Sequence, residues 1–225
     1  MREVLTYSRR GSRFTPSQQD AWDAHHEAWV VPDEAVDAVS SGEGGVRVAD
    51  WFGREAPLIV EIGSGVGEAT GVLAAARPDH NVLALEVWRP GVAAGLAEVA
   101  AAGATNVRFC SVDAVWLLEH LVDPDGLAEL WTFFPDPWPK KKHHKRRLVT
   151  PAFAGVVAER LRPGGIWRLA TDWADYADQM RSVLDAQPRL EGGPVERWVQ
   201  RPVTKFERKG LAAHRKITDL AYTRR

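Results

Sequence analysis

Short apolar runs alternate with longer segments of helical character along most of the chain. Residues 58–63, LIVEIG, are rich in β-branched residues and end in glycine, which is typical of a buried parallel strand. Similar runs recur along the chain, separated by segments long enough for a helix. The pattern predicts strands at residues 58–63, 81–86, 107–110, 127–134 and 166–170.

Local signals mark the helices between these strands. Asp113 can cap a helix over residues 115–120, and Thr150 with Pro151 begins another that reaches about residue 161. Further helices are predicted from the glycine-rich turn to about residue 77, over 92–102, and from Asp172 to about 186. Strands and helices alternating at this spacing predict an α/β fold, a parallel sheet with helices on both faces.

The two ends of the chain depart from this rhythm. Residues 1–30 predict a basic N-terminal arm with a short helix, and residues 31–225 predict a single domain. Residues 40–47, SSGEGGVR, have the composition of a loop. Near the C-terminus, residues 195–200 and 217–222 predict an antiparallel pair at the sheet edge.

Composition narrows the class of protein. The 225 residues are 45% hydrophobic and 26% charged, as in ordinary soluble globular proteins. No apolar run approaches the roughly 20 residues that span a bilayer, so we expect a cytoplasmic protein without a membrane partner. Cys110 is the single cysteine, which excludes an internal disulfide and a cysteine-based metal cluster.

Charge is distributed unevenly, although the net charge is only −1. Residues 138–147 contain six Lys/Arg and no acid, and residues 201–225 contain eight Lys/Arg against two acids. Local basic patches of this kind attract polyanions whatever the overall charge. The alternative is that the two segments lie on opposite faces and only solubilise the protein.

A glycine-rich turn follows the first predicted strand. Gly63, Gly65 and Gly67 have the spacing GxGxG, and glycines at a strand-to-helix turn let the backbone approach a ligand. Glu86 ends the second strand about 20 residues later, where a carboxylate can accept the ribose hydroxyls of a nucleoside. The alternative is that the glycines serve only a tight turn.

The acids around this turn indicate which nucleoside is bound. Glu61 lies two residues before the first glycine, where it repels a pyrophosphate but suits a cationic sulfonium or amino group. Asp113, just after the third strand, can accept from an adenine amino group. The charges therefore favour S-adenosylmethionine over NAD, which makes a nicotinamide oxidoreductase a poor alternative.

The stretch over residues 133–147, FFPDPWPKKKHHKRR, holds a second constellation. Three prolines at alternate positions stiffen a loop that presents Asp136 and Trp138 and leads directly into the basic run. Trp138 either stacks on a base or packs under the loop. The simpler interpretation of the whole stretch is a solvated turn followed by a charged helix face. His143 and His144 fit surface or phosphate-contact groups better than metal ligands, and no metal is predicted.

At these motifs the chain resembles a known family, the bacterial tRNA (guanine-N7-)-methyltransferases of the TrmB type. The resemblance covers roughly residues 5 to 222 and is carried by EIGSGVGEAT, ALEVWRPGV, the stretch at 133–147, ATDWADYA and RPVTKFERKG. It implies a class I S-adenosylmethionine-dependent methyltransferase fold, Rossmann-like, with a seven-stranded, mostly parallel sheet. The implied reaction methylates N7 of the guanosine at position 46 in the tRNA variable loop, giving 7-methylguanosine and S-adenosylhomocysteine.

The resemblance also implies roles for individual residues. Asp136 is the expected catalytic acid, which we interpret as an orienting acceptor because guanine N7 has an in-plane lone pair and no proton to remove. The expected cofactor residues are Glu61, Gly63, Gly65, Gly67, Glu86, Asp113 and Asp136. The expected substrate residues are Lys140, Asp172, Thr204, Lys205, Phe206 and Glu207. The expected RNA contacts are Lys142, His143, His144, Lys145, Arg146 and Arg147.

Some of these positions have structural alternatives. Asp172 either reads the guanine edge or caps its helix. In an extended TKFE segment, Thr204 and Phe206 would share one face and Lys205 and Glu207 the other, where they could form only a surface ion pair.

Two rival functions stay open at the level of sequence. One is a methyltransferase of the same fold that acts on a small molecule or a protein, and the other is a non-catalytic RNA-binding module. We expect tRNA as the partner, no obligatory protein partner, and a monomer or homodimer.

Overall fold

The computed structural model describes residue 11, residues 13–40 and residues 47–225. Its strands are β1 (Leu58–Ile62), β2 (Asn81–Leu85), β3 (Val107–Cys110), β4 (Leu127–Phe133), β5 (Leu161–Thr171), β6 (Leu190–Val195) and β7 (Thr218–Arg224). They form one seven-stranded sheet in the order β3-β2-β1-β4-β5-β7-β6. The first five strands pair in parallel, whereas β7 is antiparallel to both β5 and β6.

Helices cover both faces of this sheet. They are α1 (Pro16–Trp29), α2 (Asp33–Ser40), α3 (Val48–Phe52), α4 (Glu68–Ala75), α5 (Arg89–Ala101), α6 (Ala114–His120), α7 (Pro151–Arg160), α8 (Ala174–Asp185) and α9 (Lys205–Ala212). In the described parts of the chain, none of them has the length and apolar character needed to cross a membrane.

Alternation along the strands builds a core on each side of the sheet. In β1, Ile59 packs with α4 and α5, and its neighbour Val60 packs on the opposite face with α6, α7 and α8. Successive side chains of a strand point to opposite faces, so a strand buried on both sides is apolar throughout. The predicted α/β architecture with two helical layers is confirmed.

The strand order places the functional loops at one edge. β1 pairs with β2 on one side and with β4 on the other, so the direction of winding reverses between β1 and β4. Ligands of such sheets bind outside the carboxyl ends of the strands at this reversal. The glycine-rich turn follows β1 and the Asp136 loop follows β4, which puts the two predicted motifs next to each other.

The parallel half of the sheet agrees closely with the sequence prediction. Asp113 caps α6 through bonds from the amides of Val115 and Trp116, and Thr150 caps α7, both as predicted. The fifth strand was predicted only from residue 166. It begins earlier because Leu161 already pairs with Leu127, before a register shift over the Pro-Gly-Gly segment.

The first strand of the antiparallel edge pair was predicted at 195–200, and that position is wrong. The antiparallel pairing itself is confirmed, but the strand is β6, whose two glycines and one proline disfavour strand structure by propensity. At the sheet edge such residues are tolerated. Gly192 is also required there, because a Cβ would come within 2.8 Å of the Cα of Tyr222 on β7.

The TKFE segment is helical, so the alternation of side chains considered for an extended segment does not arise. Thr204 is the N-cap of α9, and its Oγ1 accepts a bond from the amide of Glu207 at 3.4 Å. The spacing Thr-x-x-Glu is a recognised helix-start signal, and it outweighs the alternation seen in four residues.

A buried ion-pair cluster fastens α9 to the sheet. Arg201 is 1% exposed and donates to Glu207 of α9 at 2.5 Å and to both carboxylate oxygens of Asp219 on β7 at 2.9 Å. Arg197 donates to Glu207 from the other side at 2.7 Å. The guanidinium of Arg201 also lies over the rings of Phe133 and Phe134 at the end of β4.

The N-terminal segment is attached to the far edge of the sheet. Val31 donates its amide to the carbonyl of Phe109 on β3 at 2.8 Å, and Gln18 of α1 donates to the carbonyl of Pro90 on α5 at 2.9 Å. The predicted short helix within residues 1–30 corresponds to α1. Most of the predicted basic arm, residues 1–10 and 12, and most of the predicted loop, residues 41–46, lie outside the described residues.

Replacing Arg201 by Met should destabilise the protein strongly, because Asp219 and Glu207 would be left as buried charges without this partner. We expect the free energy of unfolding to fall by about 3–5 kcal/mol, measured by urea denaturation. Arg162→Met, at an exposed position, is the control and should change it by less than about 0.5 kcal/mol. Equal losses in the two variants would contradict this account of the cluster.

Candidate active site

A groove with a cavity volume of about 140 Å³ opens at the carboxyl ends of the parallel strands. It is lined by Ile62, Gly63, Gly65, Leu85, Glu86, Val87, Trp88, Val112, Asp113, Ala114, Phe134, Pro135, Asp136, Leu148 and Phe206. Below we use the name cofactor groove for this set. The segments that follow β1, β2, β3 and β4 therefore all contribute to one cavity.

The three glycines of the turn share a backbone conformation but differ in what surrounds them. All have positive φ, at +74° for Gly63, +62° for Gly65 and +80° for Gly67, a conformation that disfavours residues with a Cβ. A Cβ on Gly63 would meet no atom within 4 Å, so its backbone faces the open cavity. A Cβ on Gly67 would come within 2.5 Å of the Cα of Gly95, so this glycine allows α4 to pack against α5.

Glu86 is fixed in the groove by backbone donors. One carboxylate oxygen accepts from the amide of Gly65 at 2.8 Å, and the other accepts from the amide of Trp88 at 2.8 Å. The carboxylate thus joins the turn after β1 to the turn after β2. Asp113 lies farther along the same edge, and both of its capping bonds to α6 end on one oxygen, Oδ1.

Glu61 is not on the wall of the groove. It is 3% exposed, and one carboxylate oxygen accepts from the hydroxyl of Thr70 at 2.6 Å. Burial, with a smaller contribution from the nearby Glu86, raises the pKa of this carboxyl to about 7 despite the lowering effect of the Thr70 bond. The prediction that Glu61 directly meets a cationic ligand therefore does not match its position beneath the turn.

The Asp136 loop closes the other side of the groove. Phe134 and Trp138 both have positive φ, at +52° and +43°, which is uncommon for large side chains and costs roughly 1–3 kcal/mol each. The amide of Phe134 donates to the carbonyl of Ala170 on β5 at 2.7 Å, which holds the start of the loop. Asp136 itself lines the cofactor groove beside Pro135.

The basic run continues from this loop as a 3-10 helix, Lys141–Arg146. Arg146 lies 3.5 Å over the ring of Trp138, and His143 meets the same ring edge-on at 6.0 Å between centroids. Trp138 is thus half-buried against side chains of the basic run, which agrees with the packing alternative. The exposed lysines of the run are Lys140, Lys141, Lys142 and Lys145.

Comparison with known proteins identifies the family. Residues 55–220 match a methyltransferase family model, Methyltransf_4. The chain is 71% identical over its full length to the tRNA (guanine-N(7)-)-methyltransferase of Nocardioides sp. (strain ATCC BAA-499 / JS614), of which it covers 89%. The chain belongs to the tRNA (guanine-N7-)-methyltransferase family. The corresponding protein of Cutibacterium acnes is 46% identical, over 99% of this chain and 84% of that protein.

Solved structures of other methyltransferases share the fold. The structure of the 16S rRNA methyltransferase KamB has a TM-score of 0.56 at 17% identity, and covers 80% of this chain and 95% of that one. A precorrin-6y C5,15-methyltransferase from Geobacter metallireducens GS-15 has a TM-score of 0.52 at 15% identity, over 86% and 91% of the two chains. At these identities the likeness concerns the fold alone, and it confirms the predicted class I methyltransferase architecture.

The groove of this family member fits S-adenosylmethionine. The open space beside Gly63 leaves room for a ligand to approach the backbone, and Glu86 presents a fixed carboxylate at the end of β2, where ribose hydroxyls bind in this class of fold. Apolar side chains such as Val87, Val112 and Leu148 offer flat walls for a purine. Among the described residues there is no group of three His, Cys, Asp or Glu side chains that could hold a metal ion.

Arg147 was predicted to contact RNA, and its position requires a correction. Its side chain is 1% exposed, and its guanidinium donates to Asp175 at 2.8 and 3.0 Å, to Gln179 at 2.8 Å and to the carbonyl of Pro137 at 2.9 Å. It also lies over the ring of Tyr176. Arg147 therefore anchors the Asp136 loop to α8 instead of reaching outward.

Asp172 does not cap its helix, so that alternative is wrong. The N-cap of α8 is Trp173, and the carboxylate of Asp172 instead accepts from Arg215 at 2.8 Å. Gly210 of α9 packs closely against it, because a Cβ there would come within 2.8 Å of the Cβ of Asp172. Asp172 follows β5 at the same sheet edge as Asp136.

The TKFE residues divide between the groove and the interior. Phe206 lines the cofactor groove, and Lys205 is exposed beside it. Thr204 is buried as the cap of α9, and Glu207 is 2% exposed within the Arg201 cluster. Sequence reasoning placed Phe206 with the substrate residues, whereas its ring lies near Gly65 of the glycine turn.

Several residues of the groove were missed from the sequence. Trp88 lines the groove, and its indole N–H donates to the carbonyl of Gly11 at 2.7 Å. Val112 and Leu148 also line it, but an apolar residue after a strand gives no signal beyond its hydrophobicity. Trp88 lies within the ALEVWRPGV motif, which was the available clue.

The raised pKa of Glu61 predicts a pH-dependent stability. Its ordinary value is near 4.5, so between about pH 4.5 and 7 the native state holds a proton that the unfolded chain has lost. The free energy of unfolding therefore falls as the pH rises through this window. Relative to Glu61→Gln, the wild-type protein should lose about 2 kcal/mol between pH 5.5 and 8, measured by urea denaturation. Parallel pH profiles of the two proteins would contradict this assignment.

Proposed function

We propose that this protein transfers the methyl group of S-adenosylmethionine to N7 of a guanosine in tRNA, releasing S-adenosylhomocysteine. The observation that carries the proposal is that Asp136 shares one groove with the glycine turn and Glu86, directly beside a run of exposed lysines. The family and the curated relatives agree with this reaction. Since tRNA is found in the cytoplasm, we expect the protein to act there.

Five groove residues are proposed to hold the cofactor: Gly63, Gly65, Glu86, Asp113 and Asp136. When bound, S-adenosylmethionine supplies an activated methyl group on a cationic sulfonium. The amides of Gly65 and Trp88 fix the Glu86 carboxylate in advance, so little reorganisation is needed to accept hydroxyl groups. Glu61 lies beneath the turn. It is proposed to support the turn through its bond with Thr70 and not by contact with the cofactor.

Asp136 is proposed to orient the reacting partners. Guanine N7 carries an in-plane lone pair, so its methylation requires no general base, and most of the rate comes from positioning. A carboxylate on a loop fixed by Phe134 and Arg147 can accept hydrogen bonds from the cofactor amino group or from the guanine Watson–Crick edge. Its negative charge also stabilises the positive charge that develops on the purine.

The exposed lysines are proposed to bind the phosphates of the tRNA. Lys140, Lys141, Lys142 and Lys145 follow the Asp136 loop in the chain and are exposed, whereas Arg146 is held over Trp138. Desolvation and the neighbouring Lys142, Arg146, Lys140 and Lys145 lower the pKa of His143, so at neutral pH it acts as a hydrogen-bonding group without charge. Such contacts give affinity and orientation rather than sequence recognition.

The finer part of the proposal is the target guanosine, at position 46 of the variable loop, which rests on the family resemblance. Asp172, held by Arg215 at the same edge as Asp136, and the exposed Lys205 are proposed to contact that nucleotide. We also propose that the protein acts without an obligatory protein partner, as a monomer or homodimer.

Incubation with labelled S-adenosylmethionine and unmethylated tRNA, followed by nuclease digestion and nucleoside analysis, tests the reaction. We expect the label in 7-methylguanosine. A tRNA transcript with adenosine at position 46 should accept no label if that position is the target. Labelling of other nucleosides only, or of none, would overturn the proposal, and full labelling of the altered transcript would overturn its finer part.

Asp136→Asn keeps the shape of the side chain but removes its charge. We expect kcat to fall about 10²-fold, because one preorganised electrostatic contact is lost, while the Kd for tRNA stays within about threefold. Asp178→Asn, at an exposed position on α8, is the matched control and should be fully active. A normal rate for the Asp136 variant in the same single-turnover assay would exclude the orienting role.

Replacing Lys141, Lys142 and Lys145 together by Ala should flatten the salt dependence of tRNA binding. Each lost phosphate contact reduces the slope of log Kd against log salt by about 0.7–0.9, so we expect a change of roughly 2–3. The matched control replaces Arg162, Arg189 and Arg225 together by Ala. These residues are exposed at the end of the sheet opposite the cofactor groove. An equal change of slope in both triple variants would place the RNA elsewhere.

A further inference from the structure

Glu68, the first residue of α4, makes contacts that its place in a helix does not require. It follows the glycine turn directly, but its carboxylate reaches α9, which is 137 residues farther along the chain. Oε2 accepts from the backbone amide of Lys205 at 2.5 Å, and Oε1 accepts from the guanidinium of Arg208 at 2.6 Å. The cofactor turn and the TKFE helix are thus joined by one side chain.

The bond to Lys205 satisfies a specific need of α9. The first four amides of a helix have no partner within it, and Thr204 supplies an acceptor only to the amide of Glu207. Glu68 caps the amide of the first helical residue from outside the helix. A negative charge at this end also interacts favourably with the helix dipole.

Phe206, the residue after Lys205, connects the Glu68 contacts to the cofactor groove. Phe206 lines the cofactor groove, and its ring lies 3.6 Å from the position that a Cβ on Gly65 would occupy. Two other contacts hold α9 against the body of the protein: Glu207 accepts from Arg201, and Gly210 packs against Asp172. At its N-terminal end, the bonds to Glu68 hold the helix over the glycine turn.

We propose that Glu68 is a positioning residue for the methyl transfer, which holds the first turn of α9 so that Phe206 forms a wall of the cofactor groove. The inference rests on the proposed function, because it assigns that groove to the cofactor. Glu68 acts through Phe206 and the α9 backbone rather than by touching the reacting atoms. Its loss therefore weakens cofactor binding more than it slows the chemical step.

The test compares Glu68→Ala with the conservative variant Glu68→Gln. We expect Glu68→Ala to raise the KM for S-adenosylmethionine and the Kd for S-adenosylhomocysteine about tenfold, as for one charge-assisted hydrogen bond, with kcat within about threefold. Glu68→Gln retains an acceptor for the amide of Lys205, so it should stay within about threefold of wild type. Arg208→Ala removes the exposed ion pair with Glu68 and a bond to the carbonyl of Val203 but leaves the Glu68 bond to the amide of Lys205, so it should change Kd by less than about twofold.

Double variants separate positioning from general helix stability. If Glu68 acts through Phe206, the variant with both Glu68→Ala and Phe206→Ala binds S-adenosylhomocysteine no more weakly than Phe206→Ala alone. Independent, multiplicative effects would overturn the proposal, and so would an unchanged Kd in folded Glu68→Ala. Should Glu68→Ala fail to fold, the same cycle with Glu68→Asp gives the answer, since its shorter side chain no longer reaches the amide of Lys205 and the resulting loss of binding must also vanish when Phe206 is absent.

The binding measurement keeps this inference separate from the proposed function. Calorimetry with S-adenosylhomocysteine needs no tRNA and no turnover. If wild-type protein binds it and responds to Glu68→Ala but methylates no tRNA, the proposed reaction fails and the positioning role stands. If tRNA is methylated and the Kd is insensitive to Glu68, the reaction stands and the positioning role fails.

Discussion

The parallel pairing of β4 with β1 is the interaction on which the site depends. In this register, the glycine turn that follows β1 and the Asp136 loop that follows β4 leave the same edge of the sheet side by side. Glu86 and Asp113 join them because β2 and β3 extend the same parallel array. One backbone arrangement therefore brings together residues that are up to 73 positions apart, from Gly63 to Asp136.

Local chemistry explains which features the sequence could predict. The glycine turn, the Asp113 cap and the Thr150 start each depend on neighbouring residues, and their patterns survive in any environment. β6 was placed wrongly because Gly192 is needed for the close approach to β7, a long-range contact that strand propensity does not reflect. The Thr-x-x-Glu spacing of the TKFE segment is a local sign of a helix start, whereas four residues are too few for alternation to indicate a strand.

Burial was the harder quantity to predict for the charged residues. A run of basic residues gives no sign of which side chains turn inward, yet Arg147 and Arg201 are buried while the lysines near Arg147 are exposed. The division follows the chemistry of the two cations. A planar guanidinium can donate to two or three acceptors at once and tolerates desolvation, whereas an ammonium is strongly hydrated. Arg147 and Arg201 therefore fasten elements together, whereas the lysines of the basic run stay at the surface.

The left-handed backbone at Phe134 and Trp138 affects the entropy that tRNA binding must overcome. A loop that adopted this conformation only after tRNA arrived would have to search for it during each encounter. Here Ala170, Arg147 and Arg146 hold the loop through backbone, guanidinium and ring contacts that lie within the protein itself. The entropy cost of ordering the loop is thus met when the protein folds, so it does not reduce the affinity for tRNA.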